Sequence, residues 1–167
     1  GESVKYLANL AGMQPYMFSK EDEEREKKWK EYQSIYNQYV NFYHDELLKN
    51  ESCSGARDYL KIRSLNKFEV KKFKIGYVDK NPNFFEKINK EFNEQTLVET
   101  GLFYLDEKKK IYVERFRGRL IFPINNITGQ PIALGGRIIE NIDYLAKYIN
   151  SPETIFFKKG SNLYNLD

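Results

Sequence analysis

Residues 119–139, RLIFPINNITGQPIALGGRII, contain two short apolar runs separated by a polar turn. The runs Arg119–Ile124 and Pro131–Ile139 are rich in isoleucine, leucine and phenylalanine, a composition typical of β-strands. Between them, Asn125–Gly129 combines asparagine, threonine and glycine, which favour a turn. The stretch therefore predicts an antiparallel strand pair in the C-terminal half of the chain.

The residues before this pair predict a series of short elements. After the pair, the pattern is irregular from Ser151 onward, and a further strand is predicted to begin at Leu163-Tyr164. The upstream predictions are helices at Ser54–Ile62 and Asn66–Phe73, a strand at Gly76–Val78, helices at Phe84–Phe92 and Glu94–Glu99, and a hairpin of Leu102–Leu105 with Ile111–Val113.

One long helix is predicted from Ser19 to Leu48, after a short helix that ends near Gly12. Ser19 and Asp22 have the spacing of a capping box, and apolar and aromatic residues then recur every three or four positions. Such a stripe indicates packing against a core. The predicted fold class is α+β, with a helical N-terminal half that contains one long helix and a small, mostly antiparallel sheet in the C-terminal half.

The composition indicates a globular chain. The 167 residues are 41% apolar, 16% aromatic and 31% charged, values that exclude disordered and collagen-like classes. No apolar run approaches the roughly 20 residues that cross a bilayer, so no membrane partner is expected.

Cysteine and histidine are each present once, as Cys53 and His44. They cannot supply the four ligands of a structural zinc site or an internal disulfide, and with no signal-peptide pattern at Gly1–Lys5 a cytoplasmic location is expected. Ser-His-Asp or Cys-His catalysis would need His44, whose place in the long helix favours a core-edge or solvated residue.

Positive charge is concentrated in the C-terminal third. Residues 108–160 hold ten Lys or Arg against four Asp or Glu, a net of +6, whereas the rest of the chain has a net of −3. Interleaved aromatic residues would suit a polyanion whose phosphates meet cations and whose bases stack on rings. A solvated strand face above core aromatics accounts for the same pattern, and charge alone does not separate the two.

Several ordered blocks resemble the bacterial replicative DNA primases of the DnaG type. The resemblance covers residues 54–167, predicted as a basic α+β subdomain, and leaves 1–53 as a helical segment. The blocks are ARDYLKIR (56–63), FKIGY (73–77), RFRGRLIFPI (115–124), GQPIALGGR (129–137), KYINSPET (147–154), FKKG (157–160) and LY (163–164).

The resemblance implies the N-terminal part of a primer-synthesising RNA polymerase core, without its zinc-binding module and without its Toprim metal site. The seven aspartates contain no Asp-x-Asp pair, so this fragment alone is predicted to be inactive. No cofactor is expected here, whereas Mg and Zn are expected for the full-length enzyme. The implied partners are a single-stranded DNA template, nucleoside triphosphates, an RNA primer and, through an absent C-terminal domain, the replicative helicase.

The family pattern also assigns roles to individual residues. Lys147 and Lys159 would position the nucleotide, and the resemblance places Arg63, Arg137 and Asn150 in the same catalytic set. Gly135-Gly136, before Arg137, would let a ligand approach the backbone. A further set, Arg115, Arg117 and Arg119, occupies every second position of a segment predicted to be extended, so these residues would form one basic strip for the template.

Two other function classes stay open on the sequence. The chain could be a stand-alone module that binds single-stranded nucleic acid, or a protein-interaction domain that uses the long helix. For individual residues, the arginine strip could be a solvated face, Arg63 could cap helix carbonyls, and Lys158 could hold the role assigned to its neighbour Lys159.

Overall fold

The computed structural model describes residues 6–7, 10–12, 19–140 and 142–160. The chain divides into two compact units, residues 1–31 and residues 32–167, and the boundary predicted after residue 53 stays a prediction. The strand predicted at Leu163-Tyr164 and most of the first predicted helix lie outside the described residues. No described helix is long and apolar enough to cross a membrane.

The long helix, α1, runs from Lys20 to Lys49. The predicted capping box is confirmed, because Asp22 Oδ2 accepts from the Ser19 N–H at 3.0 Å and Ser19 Oγ accepts from the Asp22 N–H at 3.1 Å. From Tyr32 onward, where the second unit begins, the apolar stripe of α1 is buried in the core of that unit. The buried apolar and aromatic residues of α1 are Tyr32, Ile35, Tyr36, Tyr39, Val40, Tyr43 and Leu47.

The remaining elements confirm the α+β class. The helix predicted at Phe84–Phe92 is wrong in its C-terminal half, because the helix ends at Ile88 and residues 89–92 form a turn and a bend before the next helix. A last strand, β6, was not predicted. The elements are α2 (Ser54–Ile62), α3 (Lys67–Lys72), β1 (Gly76–Val78), α4 (Phe84–Ile88), α5 (Glu94–Glu99), β2 (Phe103–Asp106), β3 (Ile111–Glu114), β4 (Arg119–Asn125), β5 (Pro131–Ile138) and β6 (Tyr148–Asn150).

The strands form two antiparallel sheets. The larger has the order β1-β4-β5-β6, and β2 pairs with β3 as the predicted hairpin. In the larger sheet, Leu120 of β4 lies opposite Arg137 of β5, and Arg137 lies opposite Tyr148 of β6. This register places one candidate cation in the middle of three neighbouring strands.

Helix α1 packs directly on β1 at Gly76. A Cβ at this position would lie 2.9 Å from the backbone carbon of Tyr43 and 3.0 Å from the His44 nitrogen, so only glycine permits the approach. Beside it, the His44 ring Nδ1 is 2.7 Å from the carbonyl oxygen of Ile75. His44 is therefore a buried structural residue, which agrees with the core-edge interpretation and not with the solvated one.

Glu114, at the end of β3, is a buried carboxyl with 3% exposure. It accepts from the Tyr43 hydroxyl at 2.6 Å and from the N–H groups of Phe84 and Phe85 at 2.9 and 3.3 Å. Helix α4 is thus capped by a distant carboxylate, since Asn83 forms no side-chain cap. Burial raises the pKa of Glu114 above its ordinary value, although the bonds from Tyr43 and the two N–H groups oppose that shift.

Glu114→Gln preserves the shape of this side chain and removes its titration. Because the raised pKa makes the folded chain bind more protons than the unfolded one, we expect the wild-type free energy of unfolding to fall relative to Glu114→Gln as pH rises from about 4 to about 7. Urea denaturation across that range measures the difference. Glu114→Ala, which leaves buried donors without an acceptor, should destabilise by about 3 kcal/mol. A wild-type-minus-Gln difference that is flat with pH would contradict the assignment.

Candidate functional site

Three cations that the sequence separates widely meet in one cleft. Arg63 from the end of α2, Arg137 from β5 and Lys147 from just before β6 line a cleft of about 210 Å³, here called the arginine–tyrosine cleft. Tyr59 and Glu140 also line this cleft. The predicted grouping of Arg63, Arg137 and Lys147 therefore has a geometric counterpart.

The end of α2 explains the position of Arg63. Its backbone N–H satisfies the last carbonyls of the helix, while its side chain turns back to Tyr59, one helical turn earlier. Arg63 Nε donates to the Tyr59 hydroxyl at 3.2 Å. Arg63 therefore does cap the helix carbonyls, as the alternative expected, but it does so through its backbone N–H, which leaves the side chain for Tyr59.

A second cleft adjoins the first along Ile138, Glu140, Ile142 and Leu145. It has a volume of about 390 Å³ and is called the triple-arginine cleft because Arg115, Arg117 and Arg119 all line it. Lys80 also lines this cleft, and its Nζ forms an ion pair with Glu140 Oε1 at 2.7 Å. Glu140 thus lies between the two clefts and neutralises Lys80.

The arginines reach this cleft by a different geometry from the one predicted. Residues 115–118 form a turn, with Gly118 at φ +68°, so the predicted extended strip is wrong. Arg117 is exposed, and its Nη2 lies 3.5 Å from the Tyr104 hydroxyl. Arg115 is half-buried, donates from Nε to the Gly101 carbonyl at 2.7 Å, and sits 5.5 Å from the centre of the Tyr104 ring.

Arg119 differs from both, because it is only 6% exposed. Its guanidinium donates to the carbonyls of Ala146 at 2.8 Å and Lys147 at 3.3 Å, and burial lowers its pKa. A side chain already bonded to these carbonyls has little left for a template phosphate. The structure thus contradicts the geometry of the Arg119 prediction and makes Arg119 a support for the segment that carries Lys147.

The two glycines before Arg137 also have a packing role. A Cβ on Gly136 would lie 2.5 Å from the Phe116 ring and 3.3 Å from Arg119 Cδ. At Gly136, the space expected for a ligand is thus filled by the side chains of Phe116 and Arg119. Gly135 is less constrained, because its Cβ would lie 3.5 Å from Asn150 Oδ1.

Asn150 and Lys159 line neither of the two clefts. Asn150 is exposed on β6, opposite Gly135. Lys159 is exposed in the segment after β6, where its backbone N–H donates to Glu153 Oε1 at 3.0 Å. Their assigned roles stay predictions, as do those of the residues in the clefts.

Sequence reasoning missed the aromatic partners of the arginines and the cation Lys80. Tyr59 could have been identified locally, because its position four residues before Arg63 on one helix indicates contact between them. Tyr148 lies opposite Arg137 only through the strand register, and Tyr104 meets Arg115 only through the fold. No local pattern identifies these two.

The described side chains do not gather into a metal-binding group. Within residues 6–7, 10–12, 19–140 and 142–160, no group of three or more His, Cys, Asp or Glu side chains is placed to hold an ion. The Mg and Zn that the resemblance implies therefore have no fitting donor set in this part of the chain. The described residues bring together cations and aromatic rings instead.

Comparison with protein families gives a match over residues 42–167 to the DNA primase catalytic core, N-terminal domain. The DNA primase of Haemophilus influenzae is 34% identical in an alignment 177 residues long, and this alignment covers 99% of this chain and 28% of that protein. The DNA primase of Clostridium acetobutylicum is 34% identical over 170 residues, covering 99% and 27%. The chain spans little more than a quarter of the length of these curated relatives.

Solved structures give the same likeness. A DnaG primase catalytic domain bound to ssDNA superposes with a TM-score of 0.71 at 30% identity, covering 84% of this chain and 43% of that one. The zinc-binding and RNA polymerase domains of the Aquifex aeolicus primase give 0.69 at 31% identity, with 98% and 38% covered. The RNA polymerase domain of Mycobacterium tuberculosis DnaG, in complex with a double-stranded DNA oligomer, gives 0.70 at 28%, with 78% and 41% covered.

Arg119→Leu tests the supporting role of that side chain. We expect a loss of about 3 kcal/mol in the free energy of unfolding, because a buried guanidinium and its two hydrogen bonds, to the carbonyls of Ala146 and Lys147, are removed. Arg117→Leu, at an exposed position of the same cleft, is the matched control and should change stability by no more than about 0.5 kcal/mol. Urea denaturation measures both. Equal effects would show that the Arg119 bonds to Ala146 and Lys147 contribute no more than a surface contact.

Proposed function

The chain belongs to the DNA primase family, as the N-terminal domain of the catalytic core, and from this we propose that its two clefts hold the single-stranded DNA template and the nucleoside triphosphate during primer synthesis. The observation that carries the proposal is the convergence of Arg63, Arg137 and Lys147 next to a cleft with three more arginines. Nucleotidyl transfer brings two polyanions to one place, and oriented cations reduce their repulsion.

In this proposal the triple-arginine cleft takes the template. Arg117 is exposed and Arg115 is half-buried beside the Tyr104 ring, so each can present guanidinium N–H groups to a phosphate. Arg119 acts indirectly, through the segment it supports. Contacts to phosphates carry no base information, so binding here is independent of template sequence. A DnaG primase catalytic domain at 30% identity is bound to ssDNA, which supports single-stranded DNA as the class of ligand.

The arginine–tyrosine cleft takes the triphosphate. Arginine offers a planar fork that matches two phosphate oxygens, whereas Lys147 offers a mobile point charge, and the cleft combines both. The family pattern adds Asn150 and Lys159. In the complete enzyme we propose that these two contact the nucleotide from outside the cleft.

The metals belong to other parts of the complete protein in this proposal. Mg supplies charge neutralisation for nucleotidyl transfer when bound, and Zn belongs to the family's separate module. The described residues provide no set that would hold either, so no step assigned to this chain passes through a metal. Primer synthesis, the RNA primer and the replicative helicase are proposed for the whole protein, and these 167 residues alone should make no primer.

The interaction-domain alternative assigns the function to the long helix, which carries an apolar stripe. From Tyr32 onward that stripe is buried within the second unit, so this part of it has no surface left for a partner. A stand-alone binding module would share the clefts and differ only in what the rest of the protein does.

Salt dependence tests the template assignment. If about five cations contact phosphates, the log affinity for an oligothymidylate should fall with log salt at a slope near −3.5, from roughly −0.7 per contact. Arg117→Ala should weaken binding and reduce the slope by about 0.7. Lys27→Ala, at an exposed lysine of the first unit, is the control and should change neither. A slope near zero, or equal losses in both variants, would rule out the cleft as the template site.

A neighbouring pair of lysines tests the nucleotide assignment in the complete primase. Lys159→Ala should lower the rate of dinucleotide formation by about 2 to 4 kcal/mol of transition-state stabilisation while leaving template affinity within about twofold. Lys158→Ala, the control, should leave the rate unchanged, with folding verified by circular dichroism. If Lys158→Ala carries the loss instead, the role belongs one position earlier.

A further inference from the structure

Tyr59 is the point where two candidate phosphate-binding arginines meet. The Arg63 guanidinium carbon lies 5.4 Å from the centre of the Tyr59 ring, and that of Arg137 lies 5.3 Å from it. The two arginines come from α2 and β5, so they share no local structure that would hold them together. One tyrosine side chain therefore contacts both cations at once.

The contacts differ in kind. Arg63 Nε donates to the Tyr59 hydroxyl at 3.2 Å, in addition to its distance from the ring. Arg137 has no such bond to Tyr59, and its Nε is buried without a hydrogen-bond partner among the described residues. Its guanidinium lies near two rings, those of Tyr59 and Tyr148, and donates to the Tyr148 hydroxyl.

In the described part of the chain, no carboxylate pairs with either guanidinium. Among the described ion pairs, Asp58 is bonded to Lys61 at 2.9 Å and Glu140 to Lys80 at 2.7 Å, and neither involves Arg63 or Arg137. An aromatic face stabilises a cation without neutralising it, so both arginines keep their charge for an incoming anion. A carboxylate in the same place would stabilise the pair and cancel the charge.

We propose that Tyr59 is a positioning residue that holds Arg63 and Arg137 as an oriented pair for a polyphosphate. The inference rests on the proposed function of the arginine–tyrosine cleft and adds a residue that acts through its neighbours. Tyr59 fixes the arginines from the protein side, where it packs partly buried against the apolar cluster around Leu60 and Val70. Side chains held in place before binding lose less freedom when the anion arrives.

Two substitutions separate the ring from the hydroxyl. Tyr59→Phe keeps the ring and removes only the bond to Arg63, whereas Tyr59→Leu removes both and fills similar apolar space. With inorganic triphosphate as the probe and titration calorimetry on the 167-residue chain, we expect Tyr59→Leu to weaken binding about fivefold to tenfold. Tyr59→Phe should stay within about threefold of the wild type.

Tyr104→Leu is the matched control, because Tyr104 contacts Arg115 at 5.5 Å in the triple-arginine cleft. It should leave triphosphate affinity within about twofold, since its ring touches neither Arg63 nor Arg137. A loss of equal size in Tyr104→Leu would indicate a general effect of removing an aromatic residue and would overturn the specific role of Tyr59.

The Nε–Hε resonances of the arginines give a readout that does not depend on the ligand. Assigned through Arg63→Lys and Arg137→Lys, they should both shift in Tyr59→Leu, because each guanidinium leaves the influence of the ring. In Tyr59→Phe the Arg63 resonance should shift through its lost hydrogen bond, and that of Arg137 should stay. A uniform change of backbone amides would instead indicate loss of structure.

The outcomes are distinguishable. If wild type binds triphosphate and Tyr59→Leu binds it equally well, the positioning role is overturned and the proposed function stands. If wild type does not bind triphosphate, the nucleotide assignment fails and the inference fails with it. Should Tyr59→Leu not fold, Tyr59→Phe decides: an unshifted Arg63 Nε resonance overturns the inference, and a shift confined to Arg63 supports it.

Discussion

The buried carboxyl of Glu114 is the constraint on which the rest of the second unit depends. It accepts from Tyr43 on α1 and from two N–H groups at the start of α4, and so connects three elements that are distant in sequence. A carboxyl in an apolar interior is costly unless its acceptors are used, and here both oxygens accept. Because the bonds require one relative placement of α1, α4 and β3, the side chain specifies an arrangement that apolar packing alone would leave less defined.

The larger sheet carries this arrangement to the clefts. Gly136 leaves room for Phe116, and Arg119 passes beside the same glycine to reach the carbonyls of Ala146 and Lys147. The segment before β6 is thereby fixed to β4, although its apolar residues Tyr144 and Leu145 are exposed rather than packed in the core. The buried Arg119 thus fixes the backbone position of the exposed Lys147, and with it the place of one positive charge in the arginine–tyrosine cleft.

Among the described residues, the cations that line the arginine–tyrosine cleft form no ion pair with a carboxylate. Tyr59 and Tyr148 contact the guanidinium groups, and the nearby Glu140 is bonded to Lys80 on the side of the other cleft. Aromatic faces and backbone carbonyls stabilise positive charge less than carboxylates do, but they leave it available. A surface arranged in this way suits an anionic ligand better than an apolar one.

The sequence alone determined the α+β class, the long helix with its Ser19 cap and most element bounds, because capping, periodicity and strand composition are local. It also indicated the family, because the ordered blocks are specific. Only the tertiary structure decided that residues 115–118 turn, that Arg119 is buried, that β6 pairs with β5, and that Glu114 caps α4. These features depend on contacts between residues far apart in the chain, such as Arg119 with Ala146 and Glu114 with Phe84. A pattern within one segment predicts which backbone that segment adopts, but the partner of a buried polar group is chosen by the elements that pack against it.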